Sequence, residues 1–328
     1  MEKNILEVEG LKTSFKTERG YLKAIDGVSF SVGPGEIKGI VGESGCGKSV
    51  TMQSIMRLYE EKGRQVVYEG AIRLEGKNLL EIPEKEMKQI RGSRMAMIFQ
   101  DALSALDPVY TIGEQIEETL KLHTQLNGEE RGKRAEELLK TVGINEPERR
   151  LKQYPHELSG GMRQRVMIAI ALSCGPKLLI ADEPTTALDV TIQAQIIDLL
   201  LDLNRTMGMS IILITHDMSV VSQICQKVIV MYLGQVVEEA DVYSLFDDPE
   251  HPYTQGLIRS IPKMEGERPE RLYMIRGTVP LLSQIPRGCR FAPRCPRATE
   301  KCRGEMPALQ ETGSGHWVRC WYPGRREN

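Results

Sequence analysis

Ile37-Lys38-Gly39-Ile40-Val41 runs directly into Gly42-Glu43-Ser44-Gly45-Cys46-Gly47-Lys48-Ser49. The first part reads as an apolar strand entered from the tight turn Gly33-Pro34-Gly35-Glu36. The second fits G-x-x-x-x-G-K-[ST], with a helix predicted to begin near Lys48 and to continue through Val50. Strand, glycine-rich loop and helix form a phosphate-binding unit, because the glycines let successive N–H groups and the positive helix end face one anion. Lys48 is placed to hold β- and γ-phosphates, and the Ser49 hydroxyl to ligate Mg²⁺. A merely flexible turn is the plainer alternative, and the flanking strand and helix argue against it.

Working outward, Asn4 to Leu11 and Lys23 to Val32 alternate and are rich in β-branched residues, so they read as antiparallel strands. Val66 to Leu74 and Ala96 to Phe99 supply further strands. Thr111 to Leu126 and Glu129 to Val142 have helical spacing and form a helical insert. From Gly160 the order is helix to Cys174, strand Lys177 to Ala181, helix Val190 to Met207 and strand Ser210 to Thr215, then a further helix and hairpin. This alternation predicts an α/β domain with a mostly parallel sheet. Beyond about Leu245 regular periodicity disappears and Pro recurs, at positions including 249, 252, 262, 269, 280 and 286. A boundary is therefore expected there.

The 328-residue chain has 43 Lys plus Arg against 45 Asp plus Glu, a net charge of −2, which gives no bulk reason to expect a polyanion partner. Five Phe and two Trp make an aromatic nucleic-acid platform improbable. The N-terminal residues lack a basic stretch followed by an apolar core, so no secretory signal is expected. Val166 to Leu172 falls far short of the roughly 18 apolar residues that span a membrane. Any membrane role is expected to be peripheral.

A second anchor is Leu178-Leu179-Ile180-Ala181-Asp182-Glu183, an apolar strand ending in two acids. In open α/β sheets such a strand end lies beside the ligand. Asp182 is expected to hold Mg²⁺, directly or through water, and Glu183 to orient and activate the attacking water. Alone, the pair would read as a solvated strand end.

Leu158-Ser159-Gly160-Gly161-Met162-Arg163-Gln164-Arg165 resembles the signature motif of ATP-binding cassette ATPases, with Met162 where Gln is commonest. The family's other motifs follow in order. Gln100 matches the glutamine loop, Thr186-Ala187-Leu188-Asp189 the D-loop, and His216 after Ile211-Ile212-Leu213-Ile214-Thr215 the switch histidine. The resemblance implies a P-loop NTPase cassette over residues 1–245, with a mostly parallel sheet, an antiparallel β subdomain and a helical subdomain at about 101–165. It further implies that Ser159, Gly160 and Gly161 reach the γ-phosphate of ATP held by an opposing cassette, with Asp189 close by and Gln100 sharing the Mg²⁺. Adenine would stack on Phe15, with Tyr21 the second choice.

Met97-Ile98-Phe99-Gln100-Asp101, Leu106 to Gln115, Tyr154-Pro155-His156-Glu157 and His251-Pro252-Tyr253-Thr254 resemble the ATPase subunits of bacterial dipeptide and oligopeptide importers. That resemblance implies two transmembrane permease subunits, a second ATPase that is a paralogue or a second copy, and an extracytoplasmic peptide-binding protein. It places the chain on the cytoplasmic face of the membrane, with residues 101–115 receiving a permease coupling helix. Importers of nickel or metal chelates are a close alternative. A soluble cassette ATPase of DNA repair, translation or iron–sulfur assembly is a more distant one, and no nucleic-acid partner is expected.

Residues 246–328 form a C-terminal extension containing Cys289, Cys295, Cys302 and Cys320. Four thiolates can hold Zn²⁺ or an iron–sulfur cluster. The long spacings and the importer resemblance favour [4Fe–4S], with zinc or free thiols as alternatives. Arg287, Arg290, Arg294, Arg297, Lys301 and Arg303 are expected to offset the negative charge of such a centre, the alternatives being that they face phospholipid headgroups or are simply solvated. Cys46 belongs to the phosphate loop instead.

Overall fold

The computed structural model describes residues 3–18, 20–61, 65–186, 188–261 and 273–324. Ala187 of the D-loop motif, Pro262 and Pro269 lie outside them. The described strands are β1 (Leu6–Thr17), β2 (Gly20–Val32), β3 (Ile37–Val41), β4 (Val66–Leu74), β5 (Lys77–Asn78), β6 (Met95–Ile98), β7 (Leu178–Asp182), β8 (Ser210–Thr215), β9 (Lys227–Tyr232), β10 (Gln235–Asp241), β11 (Gln310–Gly313) and β12 (His316–Val318). The chain divides into two compact units. One comprises Gly33–Glu36 and Glu81–Leu213, with the short stretch before Leu6. The other comprises Leu6–Val32, Ile37–Leu80 and the chain from Ile214 onward, so the residues beyond 246 cluster with β1 to β5.

In the second unit β1 pairs antiparallel with β2, Leu6 opposite Val32, and with β4, Leu6 opposite Leu74. The order is β2-β1-β4-β5. Leu6, Val8, Leu11 and Thr13 of β1 are buried, a period-two pattern of one covered face that slips by one residue at the register shift between Val8 and Leu11. β3 is buried throughout and runs parallel to β9, Gly39 opposite Val228. Both faces of a parallel strand are covered, so its sequence is continuously apolar and does not alternate. β9 turns through Leu233 and Gly234, both at positive φ, into antiparallel β10. A two-residue turn of this kind matches the strand twist.

β12 adds to β10, Glu238 opposite Val318, and β11 adds to β12. The extension, in which no regular elements are legible from periodicity, thus supplies two short strands. It also forms the helices Pro252–Arg259 and Glu300–Gly304. Polar, exposed Gln310–Gly313 gives no hydrophobic signal, which explains the difference.

In the first unit β6 and β7 are parallel, Ile98 opposite Ala181, and β8 follows in the order β8-β7-β6. The helical insert forms as expected. Helices Ile112–His123, Gly128–Thr141 and Gly160–Leu172 pack on one another through Ile112, Ile116 and Leu120 on the first and Leu138 and Leu139 on the second. Thr111 with Glu114 and Asn127 with Glu130 form reciprocal capping boxes that fix where the first two helices start. No helix among the described residues is long and apolar enough to cross a membrane.

Candidate nucleotide site

The phosphate loop leaves the end of β3 at Gly42, whose φ is +151 and where a Cβ would lie 2.4 Å from the Met231 carbonyl oxygen. Only glycine lets the chain pass that close to β9. Further along, the Gly234 N–H donates to the Cys46 carbonyl at 2.7 Å, and Cys46 N–H donates to Glu43 O at 3.3 Å. Ser44 and Gly45 form the exposed crown, while Cys46 is fully buried. Burial pushes the Cys46 thiol up, so this residue serves the loop through its backbone.

Helix Lys48–Ile55 then starts at Gly47 with no side-chain cap and no acidic residue in its first turn. Its leading N–H groups are left for an anion to satisfy, and the helix dipole favours one. Lys48 is buried and its Nζ donates to Gly42 O at 2.7 Å and Glu43 O at 3.1 Å. An ammonium held against the loop's own carbonyls is positioned to meet a phosphate placed in that loop. Ser49 and Val50 occupy the first helical turn and are half-buried. Elsewhere in this unit Phe15 is half-buried with its ring edge-on to Tyr59 at 4.7 Å, and Tyr21 is 60% exposed. His216 is exposed just beyond β8, next to Asp217, which caps helix Met218–Ile224.

The other unit brings a second group of candidates together. β7 ends at buried Asp182, and Glu183 follows in the left-handed region at φ +47. Such a conformation in a non-glycine residue stores about 1–3 kcal/mol of strain and persists only where its surroundings enforce it. Here Gln100 Nε2 and Thr186 Oγ1 both donate to Glu183 Oε2 at 3.0 Å. The parallel pairing of β6 and β7 is what sets Gln100 beside Glu183.

Ser159 caps helix Gly160–Leu172, accepting from Met162 N at 3.4 Å, and both Ser159 and Gly160 are exposed. A Cβ on Gly161 would lie 2.8 Å from Ile192 Cγ2, so the signature segment abuts the start of helix Val190–Met207. Asp189 caps that helix by accepting from Ile192 N at 3.0 Å. This capping role was not read from the sequence, although Asp before an apolar helical run is its usual signal.

Cys289, Cys295, Cys302 and Cys320 line one small cavity together with Phe291 and Trp321. None of the four forms a disulfide. Burial, together with the neighbouring cysteines, pushes the Cys289 thiol up to about 11, and burial raises Cys320. No group of three or more His, Cys, Asp or Glu among the described residues is placed to hold a metal ion. The expected metal centre is therefore not formed as a ready-made ion site.

The expected shielding of that centre by basic residues is corrected in part. Of the six cations, Arg297 lines the cavity and Arg287 is exposed. Arg290 instead donates to Asp26 and to Leu233 O, and Arg294 forms a fork with Glu43. Lys301 lies over the Trp321 ring, and Arg303 pairs with Glu300. Carboxylates, a backbone carbonyl and an aromatic face are the partners these side chains take.

Residues 25–186 match the ABC transporter family, and residues 237–302 match the oligopeptide/dipeptide transporter C-terminal region. The oligopeptide transport ATP-binding protein AppD of Bacillus subtilis (strain 168) is 53% identical over 317 residues, covering 97% of this chain and 96% of that protein. The dipeptide transport ATP-binding protein DppD of Escherichia coli (strain K12) is 50% identical over 319 residues, covering 97% of each.

Among solved structures, the dimeric ATP-binding cassette MJ0796 bound to ADP and Pi has a TM-score of 0.64 at 30% identity, covering 72% of this chain and 98% of that one. The cassette cbiO1 from Clostridium perfringens has a TM-score of 0.63 at 29% identity, covering 75% and 91%. The phosphate loop, the acid after β7 and the capped signature helix thus stand in a chain that belongs to the ATP-hydrolysing cassettes of ABC transporters, in the oligopeptide/dipeptide branch of that family.

Proposed function

We propose that this chain energises the import of dipeptides and oligopeptides by hydrolysing ATP on the cytoplasmic face of a membrane transporter. The match of residues 237–302 to the peptide-transporter C-terminal region carries the substrate class, and relatives named for peptide transport that align over nearly the whole chain support it. Residues 1–245 act as the cassette, with 101–165 as its helical part, and 246–328 as the extension. Two permease subunits, a second cassette and an extracytoplasmic binding protein complete the assembly. The dimeric cassette among the solved structures supports the pairing of two cassettes.

In this reading the loop Gly42 to Ser49 and the helix end through Val50 wrap the phosphates of ATP, and Lys48 neutralises the β- and γ-phosphates. Phe15, or failing it Tyr21, stacks on adenine. Ser49, Gln100 and Asp182 would hold Mg²⁺, which would supply charge neutralisation to the phosphates. Ser159, Gly160, Gly161 and Asp189 serve the nucleotide of the opposing cassette, where an exposed helix start suits a γ-phosphate. Glu183 takes a proton from the attacking water, its carboxylate oriented by Gln100 and Thr186. His216 contacts the γ-phosphate. Phosphoryl transfer needs chiefly this kind of positioning and charge stabilisation.

The finer proposal for Cys289, Cys295, Cys302 and Cys320 is a [4Fe–4S] cluster, with Zn²⁺ as the alternative. Their shared cavity and all-sulfur donor set support it. Binding would have to draw the thiols together and deprotonate them, and the bound group would then brace a segment with little apolar core of its own.

The test is growth of a deletion strain on defined dipeptides and oligopeptides as sole amino-acid source. Wild type restores growth and Lys48→Ala does not. Restored nickel uptake with no effect on peptide use would sink the peptide assignment.

A further inference from the structure

Arg294 immediately precedes Cys295, and its side chain, 4% exposed, reaches the phosphate loop. Nη1 and Nη2 donate to Glu43 Oε2 and Oε1 at 2.6 and 2.9 Å, a two-pronged ion pair. Nε donates to Arg276 O at 3.0 Å, Nη2 also to Gly277 O at 3.2 Å, and Nη1 to the Tyr232 hydroxyl at 3.4 Å. The guanidinium also lies over the Tyr232 and Phe291 rings. Partners on this many sides leave it one conformation, so it acts as a fixed anchor and Glu43 is what it anchors.

Glu43 is the second residue of the phosphate loop. Its own N–H donates to the Tyr253 hydroxyl at 2.8 Å, and its carbonyl accepts from Lys48 Nζ. Backbone and side chain of this one residue are therefore both held from beyond residue 250, while its carbonyl helps set where the phosphate-binding ammonium rests. The N–H groups of Arg294 and Cys295 both donate to Phe291 O at 2.9 Å, so the anchor sits on a tight turn shared with the cysteine segment. An exposed ion pair would count for little here. Here the guanidinium is buried while the carboxylate is half-buried, so losing Glu43 strands the arginine's charge.

We propose that Arg294 is a positioning residue for nucleotide binding, which clamps Glu43 and thereby sets the phosphate loop in its ATP-accepting conformation. The extension then tunes ATP affinity from a site that does not touch the nucleotide. This inference rests on the loop being the nucleotide site.

The test is titration of the full chain with methylanthraniloyl-labelled ATP, followed by ATPase assays that separate KM from kcat. Wild-type binding that is lost in Lys48→Ala checks the loop reading separately. Arg294→Met and Glu43→Gln should each weaken binding about ten-fold, and the double variant should be no more than about two-fold worse than Arg294→Met, since the two share one interaction. In Arg294→Met the KM should rise while kcat at saturating ATP stays near wild type, and Arg294→Lys should fall between. Should Arg294→Met not fold, Arg294→Lys carries the KM expectation and Glu43→Gln the loss of affinity. Affinities within two-fold of wild type in the folded variants, or losses that multiply in the double variant, overturn the proposal.

Discussion

The side-chain amide of Gln100 donates to Glu183 Oε2 across 3.0 Å, joining the residue just past β6 to the acid just past β7. Glu183→Gln should keep nucleotide binding and slow hydrolysis by about 10²–10⁴-fold, the usual worth of a positioned general base. Phosphate release against labelled-ATP affinity measures both. Normal turnover in this variant would remove Glu183 from the reaction.

Gly42 offers a sterically cleaner test of the loop. A methyl group there would meet the Met231 carbonyl at 2.4 Å, and φ is +151, so Gly42→Ala must displace the loop from β9. ATP binding should fall at least about ten-fold, since each ten-fold loss needs only ~1.4 kcal/mol of misplacement. Retained affinity would mean that this close approach is unnecessary for the nucleotide.

Asp189 is assigned both a place near the partner's nucleotide and, by geometry, a cap on helix Val190–Met207. Asp189→Ala should cost about 1 kcal/mol of stability, and Asp189→Asn, which caps equally well, should recover most of it. Urea unfolding of the two variants decides this. If Asn recovers stability but leaves ATPase activity low, the carboxylate charge matters beyond the cap.

Stability should pass through a maximum near about pH 6.5, where both histidines titrate in the unfolded chain. Fully buried His251 has its pKa pushed down to about 4, chiefly by burial. Between those values the unfolded chain binds a proton that the folded chain refuses, so stability falls with acidification. His316 is shifted the other way, raised chiefly by its hydrogen bond to buried Glu238 at 2.8 Å. Its contribution is complete below about 6.5 and is lost as pH rises through the raised value. Urea midpoints against pH should lose the acid limb in His251→Gln and the alkaline limb in His316→Gln. A flat wild-type profile from about pH 5 to 8 would contradict both assignments.

Much of this architecture is local and therefore legible in the sequence. β3, the glycine loop and the helix at Lys48 announce themselves through apolar run, glycine spacing and N-terminal lysine. Helix Val190–Met207 and strand Ser210–Thr215 begin and end where the apolar pattern places them. The pairing of Gln100 with Glu183 follows once β6 and β7 are recognised as parallel neighbours. The partners of Arg290 and Arg294 were illegible for a physical reason. Those bonds span 264 and 251 residues, and periodicity reports only neighbours within a few turns. An arginine-rich run beside four cysteines read as counter-charge, while two of its members belong to carboxylates at the other end of the chain. β11 and β12 were missed because short polar strands gain their place from β10 and not from their own composition.

The Leu233-Gly234 turn gives the order of synthesis a functional meaning. Its N–H at Gly234 holds Cys46 O, its carbonyl at Gly234 accepts from Asp26 N, and its carbonyl at Leu233 accepts from Arg290. The phosphate loop is translated early, yet the turn that fastens it comes nearly two hundred residues later and the arginine that fastens the turn later still. A growing chain can form strands and helices domain by domain as it emerges. Its nucleotide loop acquires its last tethers only once residues 290–294 have left the ribosome, so a cassette truncated before Arg290 would carry every ATP-binding motif and lack the frame that steadies them.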